Sequence, residues 1–148
     1  MTRRLAWIPV AGRLLAGGIL VAGGFLKLRA PAEEFAAALE AYRFFPPDLL
    51  LPIARVVPWA EYLTGLYLIA GLWLRWTAPM AALLYGAFVA SLSAAFLRGI
   101  SLESCGCFGG AWIFSPAWTL ATDSFMLLFL WAVVSDRERI FSLDRRLK

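Results

Sequence analysis

The sequence predicts an all-α integral membrane protein: a bundle of four transmembrane helices, with a short interfacial amphipathic helix after the first and both termini cytoplasmic. Three observations carry that expectation. Hydrophobic residues make up 61% of the 148-residue chain, against roughly 45–50% in globular domains, and the mean hydropathy is +0.73. Four apolar stretches each reach the length of about 20 residues that a spanning helix needs. The basic residues flank those stretches unevenly. A single membrane domain, 1–148, follows.

The first span is expected over about 5–28, interrupted by Arg13. Arg3 and Arg4 ahead of an apolar run also fit a secretory signal peptide. Arg13 breaks that run, and no convincing small-residue cleavage site follows. Gly12 with Ala16, and Gly18 with Ala22, are spaced to let another helix come close. Next comes PAEEFAAALEAYRFFPPD. Phe35, Leu39 and Tyr42 recur at helical spacing opposite Glu33 and Glu40, so a short helix should lie on the outer membrane surface. Pro46 and Pro47 are expected to end it. It either covers the cysteine loop from the side or merely connects two spans.

The second span, about 49–74, contains Arg55 and Glu61. The third, about 76–97, has no internal charge, and Gly86, Ala90 and Ala94 give it a small-residue stripe. Little more than Arg75 separates the two, which predicts an antiparallel hairpin. The fourth span, about 111–134, contains Asp123.

Orientation follows from the positive-inside rule. With the N-terminus inside, Arg3, Arg4, Arg75, Arg137, Arg139, Arg145, Arg146 and Lys148 are cytoplasmic; Lys27, Arg29, Arg43 and Arg98 lie opposite. Eight against four favours cytoplasmic termini in a bacterial plasma membrane and an outward loop between spans three and four. The net charge of +4 therefore reads as topology and gives no reason to invoke nucleic acid.

Charges at membrane depth are costly and usually paired. Arg13, Arg55, Glu61 and Asp123 sum to zero. Arg55 and Glu61 do not face each other on one helix, so their partners should come from other helices. Two roles stay open for the set, with Lys27 at the end of the first span: interhelical pairing, or a proton path below the outward loop.

That loop, SLESCGCFGG, holds both cysteines, Cys105 and Cys107. A structural staple is weak, because loop-closure stabilisation falls with loop length. A metal clip lacks ligands: two thiolates are short of a tetrahedral set, and the chain contains no histidine, so no metal is assigned. A redox pair fits. Gly106 lets the backbone bend enough to bring the sulfurs together, and a strained, accessible disulfide exchanges readily. Arg98, near the loop, would favour a thiolate if close.

These residues resemble a known family. GGFLKLRAPAEEF, VVPWAEYLTGLYLIAGLWLR, FLRGISLESCGCFGG and TLATDSFMLL are similar to the DoxX-like membrane proteins, and within them to the branch related to the methylamine-utilisation protein MauE. The resemblance implies a multi-pass protein of the bacterial plasma membrane, linked to maturation of a disulfide-rich periplasmic partner beside a thioredoxin-like protein. The bundle is also similar to quinone-linked disulfide-forming membrane enzymes, which makes a quinone a conceivable cofactor. Those enzymes carry CxxC pairs and usually a second cysteine pair; this chain has neither.

The expectation is thiol–disulfide exchange or disulfide-dependent maturation through Cys105 and Cys107, as an oxidoreductase or an accessory to one. Two alternatives stand beside it. One is a non-enzymatic anchor or assembly subunit of an oxidoreductase complex; the other is a small transporter or metal-handling protein using the intramembrane charges. The expected partners are the bilayer and a thioredoxin-like or disulfide-containing periplasmic or extracellular protein, with a homo-oligomer left open.

Overall fold

A computed structural model of the protein describes residues 7–100 and 115–135. Among these residues the chain forms five helices and no strand: α1 Trp7–Arg29, α2 Ala32–Ala41, α3 Pro47–Ala70, α4 Leu74–Leu97 and α5 Pro116–Ser135.

Local chemistry sets the helix ends. Pro46 precedes α3 with φ −59° and ψ 144°, and Pro47 opens the helix where its missing N–H costs no intrahelical bond. α3 closes on Gly71, whose φ of 71° is left-handed and suits a residue with no Cβ. The Gly71 N–H donates to Leu68 O and the Leu72 N–H to Tyr67 O, which satisfies two of the last carbonyls. Gly99, with φ 67°, closes α4 in the same way: Gly99 N–H donates to Phe96 O and Ile100 N–H to Ala95 O.

These ends correct two expectations. The turn between the second and third spans is Gly71–Trp73, and Arg75 lies inside the first turn of α4. Two left-handed residues, Gly71 and Trp73 (φ 49°), reverse the chain ahead of Arg75. Nor do Pro46 and Pro47 end α2. That helix stops at Ala41, Arg43 turns the chain with φ 51°, and the proline pair starts α3.

The four long helices pack in the cyclic order α1, α3, α4, α5 and back to α1, and α2 lies against α3. The closest approach is between α1 and α3. A Cβ on Gly65 would fall 2.7 Å from Gly17 O, and one on Gly24 would fall 2.8 Å from Pro58 O. Gly12 receives Phe129 of α5, and Ala16 is fully buried, so the first expected small pair does face neighbours. Gly18 and Gly86 meet nothing within 4 Å, and Ala22 and Ala90 are exposed. The packing face of α1 therefore runs through Gly17 and Gly24, seven residues apart, and on α4 the Gly86 position of the stripe meets no described neighbour. Between the helices lies a core of Ala16, Leu20, Leu68, Ala78, Ala81 and Leu130.

The expected count of four spans is met only in part. Val10–Arg29 and Leu74–Leu97 are long and apolar enough to cross a membrane, and Ala117–Leu130 is a shorter apolar helix. α3 falls outside that set because Asp48, Arg55, Glu61, Pro52 and Pro58 dilute its apolar run. The outward faces are nonetheless greasy: Val56, Trp59, Leu83, Leu97, Trp118 and Leu128 are all exposed.

Candidate functional site

The close approach of α1 and α3 brings their charged residues together. Glu61 follows four residues before Gly65 on α3, and Lys27 follows three residues after Gly24 on α1. Lys27 also lies in the last turn of α1, where a cation suits the negative end of the helix dipole. Its Nζ donates to Glu61 Oε1 at 2.6 Å, and both side chains are almost wholly buried.

The other helices complete the surroundings. Phe35 of α2 and Phe88 of α4 hold their ring centroids 4.7 and 4.8 Å from Lys27 Nζ, which stabilises a desolvated ammonium. Beside the pair lies a cavity of about 20 Å³ lined by Leu20, Lys27, Glu61, Tyr85, Phe88 and Asp123, among others. Asp123 is 6% exposed and comes from α5. The Tyr85 hydroxyl donates across the centre of the protein to Ala16 O of α1 at 2.9 Å. All five helices thus contribute to one polar centre.

Glu61 Oε2 is buried and accepts no hydrogen bond among the described residues. The adjoining volume is of the size that holds one water, which needs roughly 10–15 Å³ and polar partners. Chemically, the centre can hold a water in a cavity that two carboxylates line, and it ties α1 to α3 by a strong buried bond.

The sequence-derived residues separate into three groups. Glu61 and Asp123 meet at one cavity. Arg13 is buried at the end of α3: its Nη1 would lie 2.7 Å from a Cβ on Gly71, beside carbonyls that favour a cation. Arg55 corrects the expectation of a buried charge, since it lies exposed on α3. Lys27, expected both on the outward side and among the pairing residues, lies inside and pairs with Glu61. The buried set is Arg13, Lys27, Glu61 and Asp123; it still sums to zero, with Lys27 in the place expected for Arg55. Tyr85 and Phe88 had no signal in the sequence beyond an aromatic on an apolar helix, and Phe35 was marked only by its place on the apolar face of α2.

Arg98 is exposed at the end of α4; its Nη1 donates to Arg43 O at 3.3 Å and its guanidinium lies 5.2 Å from the Phe44 ring centroid. Nearby, Tyr42, Leu92 and Ala95 form a small core with Ile100 and Leu120 against it. The chain therefore leaves α4 next to the end of α2. Cys105 and Cys107 lie outside the described residues.

Residues 5–135 match the sequence model of the family described as Methylamine utilisation protein MauE. No curated protein and no solved structure matches the chain.

Proposed function

The chain belongs to the MauE family, and from that premise we propose that it is a membrane-embedded thiol–disulfide exchange protein. It acts in the disulfide-dependent maturation of a protein outside the cytoplasm. The observation that carries the reading is the cysteine complement: the chain's two cysteines stand one residue apart, in the segment that follows the Gly99 closure of α4. In a chain without histidine, that pair is the strongest nucleophile available.

The exchange needs no cofactor. One cysteine thiolate attacks a partner disulfide, forming a mixed disulfide and releasing one partner thiolate. The second cysteine attacks its neighbour's sulfur, releasing the other partner thiolate and leaving Cys105–Cys107 oxidised. The partner gains two electrons; run in reverse, the same steps oxidise it.

The membrane arrangement belongs to the same proposal. α1, α3, α4 and α5 cross the bilayer, with both termini cytoplasmic and the cysteine segment outward. Three observations support this. Neutralisation of Glu61 by Lys27 lowers the cost of placing α3 in lipid. Withdrawing Lys27 from the outward charges leaves Arg29, Arg43 and Arg98 against eight cytoplasmic residues, which sharpens the asymmetry. Trp73 stacks on Tyr67 at 6.0 Å and Arg75 lies over Trp76 at 5.9 Å, an aromatic and basic group of the kind found at headgroup level.

The test is a redox titration. Membranes are equilibrated in thiol–disulfide buffers of graded potential and free thiols are trapped with a mass-tagging alkylator. A reversible two-thiol transition is expected, with a Cys105→Ser or Cys107→Ser variant trapping a mixed disulfide. A pair locked as a disulfide at every potential would instead identify a non-enzymatic anchor. A pair that stays reduced in oxidising buffer would exclude disulfide exchange.

A further inference from the structure

A second cavity shares the Phe88 wall with the polar centre. It is a partly open cleft of about 100 Å³ between α2, α3 and α4. Phe35, Tyr42, Phe45 and Phe88 line it, Ser91 adds a hydroxyl, and among the described residues no charged side chain takes part. The cleft shares Phe88 with the small polar cavity, but the two are chemically distinct.

We propose that this cleft is a binding site for an uncharged, lipid-soluble molecule that enters through a single planar six-membered ring. Three features select that class. First, apolar walls without a charged group favour neutral ligands, and one or two hydroxyls suffice to orient them. Second, the size fits one ring: a dry cavity of about 150 Å³ takes up benzene, and this cleft is somewhat smaller but open on one side. A substituent tail leaves by that opening; of the lining residues, Ala87 is exposed. Third, the walls are aromatic on both the α2 and the α4 side, which favours offset or edge-to-face contact with a ring over contact with an acyl chain. Two of those walls are fixed in advance, because Phe35 and Phe88 are both held against the Lys27 ammonium. A site with preset walls loses less entropy when it is filled.

The site does not depend on whether the cysteines cycle. It places a ligand between α2 and the helices beneath it, with Tyr42 common to the cleft and to the small core where α4 ends.

The experiment uses the full chain in lipid nanodiscs, with 1-decyl-4-fluorobenzene as the probe and its fluorine resonance as the readout. The wild type should show a saturable bound component, displaced by unlabelled decylbenzene and not by decane. Ala87→Trp and Ser91→Phe each fill the cleft from α4, one helical turn apart, and should weaken binding at least tenfold. Leu83→Trp, on the exposed face of α4, should bind as the wild type does. Thermal unfolding of each variant identifies which are folded, and one folded cleft variant is enough. The proposal fails if no saturable component exceeds that of empty nanodiscs, or if the folded cleft variants bind unchanged. It also fails if decane displaces the probe as well as decylbenzene does.

Discussion

At the scale of single residues, the centre of this protein is an ion pair whose members were unequally visible in the sequence. Glu61 and Asp123 stand out because each interrupts an apolar run. Lys27 does not, because a lysine two residues from a helix end reads as a loop charge. Its ammonium lies inside because the glycines of α1 let α3 approach and present Glu61. Arg55 stands out as clearly as Glu61 and yet is exposed; which side of α3 is buried is fixed by Gly65, not by the charges. The pair makes a sharp prediction. Breaking a buried ion pair leaves one uncompensated charge and costs about 3–5 kcal/mol, whereas replacing both members with apolar residues of similar volume is often close to neutral. Lys27→Met should therefore lower unfolding stability in detergent by about that amount, and Lys27→Met with Glu61→Met should recover most of the loss. Chemical or thermal unfolding of the four proteins in the cycle measures it. A loss in the double variant equal to the sum of the two single losses would show that the two charges are not coupled.

Whole elements were legible where apolar content and punctuation agreed. Each of the four long helices overlaps the segment expected for it and runs one or two residues past one end, and the short α2 lies inside its segment, so the errors lie at the ends. Those errors have one cause. Proline is compatible with the first turn of a helix as well as with its termination, so Pro46 and Pro47 could not be assigned to the end of α2 or the start of α3 by type alone. The helix faces were harder to read. Several glycines and alanines on α1 share a spacing of four, and spacing does not say which row meets a neighbour. The structure selects Gly17 and Gly24, against Gly65 and Pro58 of α3. Gly65→Ala would push a methyl into the backbone of α1 and should cost about 1–3 kcal/mol, the usual penalty for overpacking. Gly18→Ala and Gly86→Ala meet open space and should be neutral or stabilising by up to about 1 kcal/mol through helix propensity. Unfolding midpoints of the three variants test the assignment, and a Gly18→Ala loss as large as that of Gly65→Ala would contradict it.

For the whole molecule, the decisive question is how many helices cross the bilayer. α4 has 24 residues, a length of about 36 Å at 1.5 Å per residue, enough for a hydrocarbon core of about 30 Å. α3 has the same 24 residues and falls short only in hydropathy. Its burden is a carboxylate neutralised within the protein and prolines that neighbouring helices can accommodate. The hydropathy of a single helix cannot register a charge cancelled by another helix, so composition alone does not decide whether α3 crosses. The two counts predict different sidedness. If α1, α3, α4 and α5 all cross, positions 40, 75 and 105–107 alternate outside, inside and outside. If only α1 and α4 cross, positions 40 and 75 share the outer side and the cysteines face the cytoplasm. Glu40 and Arg75 are exposed, so single cysteines placed there in a Cys105→Ser, Cys107→Ser background report the difference. A membrane-impermeant maleimide should label Glu40→Cys and the reduced native pair in intact spheroplasts, and Arg75→Cys only after permeabilisation. Labelling of Arg75→Cys from outside would remove α3 from the membrane and turn the cysteines inward, away from the compartment where disulfides persist. The exchange function and the four-span topology therefore stand or fall on the same labelling pattern.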